Sequence, residues 1–354
     1  MRISFKTTLA ITTAGIVILF AVWVIPIPFS MAEWFVDQHY DYFIKPKEIV
    51  NKEYSGIKRI FMGVSELKLR SDWRRQFVKR IQPEINSEVD AFQIVPQKFD
   101  NLMISGLEFP HKPIDQTTFA TLIRGYGWCD QINGAFAFTL HGLMDGVEVY
   151  ALADPETGVS PHTIARINSA SLGVVYIDAF LWRIAIRYFG VEDTLTEKGK
   201  QVIPLLRDIL HNNKDKEAPE IPFEARFYQS GFVLNKFNFS YQFKKALSRF
   251  WDAISSIDLL FNKTVEADIL VDWMSKEADE ADTLHLSAQP SQSRSGQRIN
   301  EATIEQQKTF VKARLYHLYG NGIIAKKLYK TLMECENDIC KVSRIFYKRL
   351  SNAN

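Results

Sequence analysis

Residues 125–140 read GYGWCDQINGAFAFTL, and this stretch decides the fold. Gly125 and Gly127 interrupt the chain just before Cys129. The residues behind the cysteine are apolar on nearly all sides and contain no proline, which predicts a buried helix of about four turns ending at Gly142. Cys129 then lies in the first turn, where unpaired N–H groups and the positive end of the helix dipole favour a thiolate.

Three strand-like segments follow the predicted helix. The first is Val147–Leu152, and a turn separates it from a β-patterned run at residues 162–167, which His162 opens. The third is the apolar run at residues 172–177, and Asp178 comes directly after it. If the last two strands are adjacent and antiparallel, the turn between them brings His162 and Asp178 close together.

The order of helix with Cys, strand, strand with His and strand with Asp resembles the catalytic core of the transglutaminase-like superfamily. These proteins are circularly rearranged relatives of the papain-like cysteine proteases. The resemblance covers roughly residues 115–187, about a fifth of the 354 residues. It implies that Cys129 is the nucleophile, that His162 is the general base and acid, and that Asp178 orients the imidazole.

Other residues compete for these roles. His141 lies twelve residues along the same predicted helix, about 18 Å from Cys129 at 1.5 Å per residue, so it cannot be the base. His111 precedes the motif in a proline-flanked loop, where no strand holds it. Asp154 is a rival for Asp178, but it falls in a turn before the strand with the histidine.

The oxyanion of an acyl-transfer reaction needs hydrogen-bond donors, and the backbone N–H of Cys129 is one candidate. The second donor stays open among Gln116, Tyr126 and Trp128, although Trp128 fits equally well as a packing residue. The sequence has no dinucleotide loop, no P-loop lysine, no Gly-x-Ser-x-Gly elbow and no ligand spacing typical of zinc. We therefore expect no cofactor and no metal.

The N-terminus predicts the compartment. Thr8–Ile25 is an uncharged apolar run that follows Arg2 and Lys6. It fits a signal anchor with the basic end in the cytoplasm, or a cleavable signal peptide with a small-residue site at Ser30–Ala32. Both place the rest of the chain in the periplasm or on the cell surface, anchored or secreted. A buried helix of a soluble protein is the third interpretation.

The charge balance and the cysteines bear on the binding partners and on the redox environment. The 43 basic and 41 acidic residues give no overall attraction toward nucleic acid. Of three cysteines, Cys335 and Cys340 either form a disulfide, leaving Cys129 free, or stay two unpaired thiols. The basic residues of a helix predicted over residues 71–81 form either a solvated face or a site for anionic polymer or lipid; they are Arg74, Arg75, Lys79 and Arg80.

The chain divides into six predicted regions. We expect short mixed elements at 47–100, a loop at 99–113, a helix at 116–124, and two basic tail helices broken near 320–322. The regions are a membrane anchor or signal peptide at 1–29, a mostly helical region at 30–114, a catalytic core at 115–190, a helical and aromatic-rich extension at 191–285, a linker at 286–302 and a basic helical hairpin at 303–354.

The expected fold is α+β, with a papain-like core of one buried helix against an antiparallel sheet, helical additions and an N-terminal membrane segment. The resemblance implies a membrane-anchored, extracytoplasmic cysteine enzyme that attacks an amide carbonyl of a protein, peptide or glycoconjugate. Hydrolysis by a peptidase or amidase is favoured over crosslinking acyl transfer. The alternative is a non-catalytic envelope protein that uses the same fold to bind or scaffold, for example in surface polysaccharide assembly.

Overall fold

The chain begins with helices, continues into a sheet and ends with helices. The computed structural model describes residues 25–45, 50, 52–54, 56–104, 118–180, 194–203, 225–234 and 302–352. The first helices are α1 (Phe29–Gln38), α2 (Tyr40–Ile44), α3 (Gly56–Ile81), α4 (Glu88–Leu102), α5 (Thr118–Arg124) and α6 (Cys129–Leu140). The strands β1 (Val147–Leu152), β2 (His162–Ser169) and β3 (Gly173–Ile177) follow. The last elements are α7 (Ala225–Gln229), β4 (Phe232–Leu234), α8 (Ile304–Leu318), α9 (Gly322–Lys330) and α10 (Asp338–Asn352).

The four strands form one antiparallel sheet in the order β3-β2-β1-β4, which confirms the α+β class. Leu152 at the end of β1 pairs with His162 at the beginning of β2. Ala165 of β2 pairs with Ile177 at the end of β3. Asp178, the next residue, therefore comes beside the beginning of β2, as the predicted strand order requires.

Helix α6 packs against β1 and β2 and starts at Cys129, as predicted. Its residues Ile132, Phe136 and Leu140 are fully buried at a spacing of four, so they form one continuous stripe. Burying each of these side chains contributes roughly 1.5–3 kcal/mol. The ring of Phe136 also contacts Phe99 of α4 with 5.3 Å between centroids, which joins the helix to the N-terminal part of the chain.

Two glycines shape the turn between α5 and α6. Gly125 ends α5 with φ of 76°, and a Cβ there would lie 2.5 Å from the ring of Phe346. At Gly127 a Cβ would lie 2.6 Å from Oε1 of Gln131. That oxygen accepts a hydrogen bond from the Trp128 backbone N–H at 3.2 Å and so caps the start of α6. The turn therefore has no room for a side chain at either glycine.

The prediction of short mixed elements at 47–100 is wrong, since one helix, α3, runs from Gly56 to Ile81. The apolar spacing of α3 is broken by buried polar residues, and their partners lie far away in sequence. Glu66 is 2 % exposed and accepts hydrogen bonds from the Ala120 backbone N–H at 2.8 Å and from the Tyr42 hydroxyl at 3.0 Å. In the folded protein this buried carboxylate has its hydrogen-bond partners. In the sequence it interrupts the apolar spacing from which a helix is predicted.

Two further predictions need correction. Helix α4 continues to Leu102, so residues 99–102 are not a loop. The tail contains three helices rather than two, because the chain breaks near 320–322 as predicted and breaks again at 331–337. Cys335 and Cys340 form a disulfide across that second break, with Cα atoms 5.6 Å apart.

The basic residues of α3 differ in their surroundings. Arg75, Lys79 and Arg80 are exposed, as a solvated face predicts, and Arg74 is half-buried. The guanidinium of Arg74 lies 4.3 Å from the centroid of the Phe138 ring, and Arg80 donates a hydrogen bond to the carbonyl of Leu318 at 2.8 Å. Two of the four cations therefore help to hold α3 against α6 and α8.

Several predictions fall on residues outside the described ranges. They include Thr8–Ile25 apart from its last residue, the loop at 105–113 and most of the linker at 286–302. In the part of the chain that the structure describes, no helix is both long enough and apolar enough to cross a membrane. Of the N-terminal aromatic residues, Trp34 is exposed, whereas Phe35 is buried.

Candidate active site

The three residues predicted as a triad meet at one place. Cys129 is the first residue of α6, His162 is the first residue of β2, and Asp178 follows β3. Nε2 of His162 lies 2.6 Å from Oδ2 of Asp178. The same imidazole interacts with Cys129, which raises the pKa of His162. The imidazole of His162 is thus the group on which both Cys129 and Asp178 act.

The site is enclosed by protein. Cys129 is 4 % exposed and His162 is 5 % exposed. The imidazole packs against the ring of Phe180, with 5.8 Å between centroids. Asp178 contacts Nε2 of the ring. This ring orientation is the reverse of the Ser-His-Asp triad, in which the carboxylate contacts Nδ1.

The imidazole is held in its charged form. Burial by itself lowers the pKa of His162, but the neighbouring Asp178 and Cys129 raise it more, to about 10. The ring therefore carries both protons at neutral pH, and each ring nitrogen donates. An imidazolium beside a sulfur is the setting in which thiol enzymes keep a thiolate ready for attack.

Asp178 is fixed by more than the histidine. Its Oδ1 accepts hydrogen bonds from the Phe180 backbone N–H at 2.9 Å and from Nδ2 of Asn133 at 3.1 Å. Asn133 was not among the residues singled out from the sequence. A signal was present, because Asn133 is the one carboxamide inside the apolar run at 132–140 and lies one turn after Cys129.

The rival residues have other partners. Oδ1 of Asp154 accepts a hydrogen bond from the Glu156 backbone N–H at 2.8 Å, so this carboxylate caps its own turn. His141 lies at the C-terminal end of α6, and burial lowers its pKa. His111 lies outside the described residues. In the described part of the chain, Asp178 is therefore the carboxylate at the imidazole.

The structure distinguishes between two of the candidates for the second oxyanion donor, Tyr126 and Trp128. Tyr126 is 2 % exposed, and burial raises the pKa of its hydroxyl. Nε1 of Trp128 is buried and has no hydrogen-bond partner among the described residues. An indole N–H without a partner, one residue before the nucleophile, keeps Trp128 as a donor candidate. Gln116 lies outside the described ranges.

The cysteines differ in whether they are bonded to another sulfur. With Cys335 and Cys340 in a disulfide, Cys129 is the free cysteine of the three in the chain. Among the described residues, no group of three or more His, Cys, Asp or Glu side chains could hold a metal ion.

No protein-family model, no curated protein and no solved structure matches this chain. The function has to be inferred from the geometry of the site.

Proposed function

We propose that this protein is a cysteine hydrolase that attacks an amide carbonyl with the sulfur of Cys129. The observation that carries the proposal is the position of His162, which contacts Asp178 through Nε2 at 2.6 Å and also interacts with Cys129. A histidine placed between a thiol and a carboxylate is the arrangement that activates a nucleophile and later protonates a leaving group. The buried setting strengthens each of these electrostatic contacts.

The proposed reaction has two stages. The thiolate of Cys129 attacks the carbonyl carbon, the S–C bond forms, and the imidazolium of His162 gives its proton to the departing amine as the C–N bond breaks. Neutral His162 then takes a proton from water, and the resulting hydroxide attacks the thioester carbon. The S–C bond breaks, the carboxylic acid leaves, and the thiolate of Cys129 and the imidazolium of His162 are restored. An amine in place of water in the second stage gives acyl transfer, the outcome that we consider second to hydrolysis.

The arrangement of elements supports a papain-like core of the kind found in the transglutaminase-like superfamily. The helix that begins at Cys129 packs against an antiparallel sheet, and the next strands along the chain carry His162 and Asp178 in that order. Since folds host many functions, this likeness adds to the proposal only together with the contacts of the three side chains.

We also propose that the enzyme is anchored in a membrane by Thr8–Ile25 and acts outside the cytoplasm. Several large apolar side chains near the start of the described chain are exposed: Ile25, Met31, Trp34, Phe61 and Val64. Phe61, Val64 and Lys68 share one face of α3, and Nζ of Lys68 donates to the carbonyl of Ile25 at 2.7 Å. The exposed apolar surface therefore adjoins the point where the chain continues into the predicted anchor, which suits contact with a bilayer interface.

Iodoacetamide labelling tests the enzymatic proposal without a known substrate. We expect one alkylated site per folded, non-reduced chain at pH 7, located at Cys129 by peptide mass spectrometry and missing in Cys129→Ala. The rate should exceed that of a free cysteine at the same pH, because thiol enzymes activate their nucleophile through a neighbouring imidazole. The matched control is His162→Gln, which should react more slowly while the fold is retained.

If Cys129 stays unlabelled in the folded protein, or reacts equally fast in His162→Gln, the thiol is an inert core residue. The chain would then fit the non-catalytic envelope scaffold instead.

A further inference from the structure

Asn133 places a fully buried carboxamide one turn behind Cys129 on α6. Its Nδ2 donates to the backbone carbonyl of Thr163 at 2.7 Å and to Oδ1 of Asp178 at 3.1 Å. Its Oδ1 accepts from the backbone N–H of Ala179 at 2.7 Å. Because a backbone N–H can only donate, the contact with Ala179 fixes which end of the carboxamide is the oxygen.

These contacts join the three segments that carry the triad. Asn133 belongs to the helix of Cys129, Thr163 follows His162 in β2, and Ala179 follows Asp178. The carboxamide has two N–H donors, and both are used on these segments. A single side chain therefore ties the helix to the beginning of β2 and to the residues after β3, which hold the other two members.

The two carboxylate oxygens of Asp178 have different partners. Oδ1 receives the hydrogen bonds of Asn133 and of the Phe180 backbone N–H, while Oδ2 faces Nε2 of His162. Without the donor from α6, Oδ1 loses the hydrogen bond that ties it to the helix of Cys129, and the carboxylate is held less firmly against the imidazole. Holding a carboxylate in one orientation is how a supporting residue tunes a catalytic base.

We propose that Asn133 is a positioning residue that holds Asp178 against His162, an inference that rests on the proposed function of the site. It acts through Asp178 and is not itself placed at the reacting sulfur by any contact. A purely structural buried polar residue on the same helix looks different. The hydroxyl of Thr139, also fully buried, donates to the carbonyl of Ala135 in its own helix at 2.8 Å and so forms a local bond within α6.

An NMR titration of His162 tests the proposal directly. The histidine signals are assigned by comparison with His162→Gln, and the pH dependence is recorded for wild type, Asn133→Ala, Asn133→Ser and Thr139→Ala. We expect the pKa of His162 to fall by about one unit or more in both Asn133 variants, because a neighbouring carboxylate in contact raises a pKa by 1–3 units. Thr139→Ala, which removes a buried polar group from the same helix, should leave it within a few tenths of a unit.

The double variant Asn133→Ser with Asp178→Asn shows whether Asn133 acts through Asp178. If it does, adding Asn133→Ser to Asp178→Asn changes the pKa of His162 no further. An unchanged pKa in Asn133→Ser, or an equal further fall in the double variant, would overturn the positioning role and leave only a packing role.

The iodoacetamide rate separates this inference from the proposed function. A wild-type Cys129 that does not react contradicts the proposed function. The titration still decides whether Asn133 positions Asp178.

Discussion

Replacing Arg314 should destabilise the protein more than substitution of a surface residue, because this side chain caps the C-terminal ends of two helices. Arg314 lies in α8 and is fully buried. Its guanidinium donates to the carbonyl of Leu102 at 2.6 Å, at the end of α4. It also donates to the carbonyls of Leu122 at 2.7 Å and Ile123 at 3.0 Å, in the last turn of α5. Those carbonyls have no partner within their helices, and a cation there also favours both helix dipoles.

The size of the effect follows from these contacts. Arg314→Met keeps most of the volume but leaves three buried carbonyls without a donor, at about 1–3 kcal/mol each. Burial disfavours the charged guanidinium and lowers the pKa of Arg314. Removing this buried charge therefore offsets part of the loss in stability. We therefore expect the free energy of unfolding to fall by about 4 kcal/mol, near the upper end for single substitutions. In a protein of this size the midpoint of thermal unfolding should fall by roughly 10 °C.

Urea unfolding followed by circular dichroism measures this change. The matched control is Lys312→Met on the same helix, because Lys312 is a cation that is 44 % exposed and pairs with Glu33 at 2.8 Å. An exposed ion pair of this kind contributes about 1 kcal/mol or less. A loss below about 1 kcal/mol in Arg314→Met would refute the reasoning, since it would mean that the three carbonyls find other donors.

Three further predictions concern the site and the topology. Once a substrate is known, Cys129→Ala should abolish turnover, and His162→Ala should be nearly as severe. Asp178→Asn should lower kcat by about 10⁴-fold. A similar loss in Asp154→Asn but not in Asp178→Asn would mean that the third member of the triad is misassigned. Because the pKa of His162 is raised from 6.5 to about 10 by folding, its contribution to stability should be complete below pH 6.5 and should be lost as the pH rises through 10. Urea midpoints at pH 6 and pH 10 should therefore differ less in Asp178→Asn than in wild type. A reporter fused to the C-terminus should report an extracytoplasmic location, and a cytoplasmic signal would contradict the proposed topology.

The sequence by itself determined the elements that carry the site. The glycines at 125 and 127, the apolar run after Cys129 and the three strand patterns are local signals, and each is read within about ten residues. Helix α6 begins at Cys129 and β1 spans Val147–Leu152, as predicted. Two adjacent strands joined by a short turn leave few places for His162 and Asp178 other than beside each other. The α+β class and the meeting of the three side chains followed from these signals, while catalysis stays a prediction.

The tertiary structure alone decided which distant groups satisfy the buried polar side chains. Arg314 meets the carbonyls of Ile123 and Leu102, which lie 191 and 212 residues away, and no local pattern records such a pairing. Glu66 likewise breaks the apolar stripe of α3, because its partner Ala120 is 54 residues away. Asn133 is a carboxamide within the apolar run of α6, and its partners Asp178 and Ala179 are 45 and 46 residues away. Hydrophobic periodicity reports which face of an element is buried, whereas hydrogen bonds between distant segments depend on packing that only the folded chain provides.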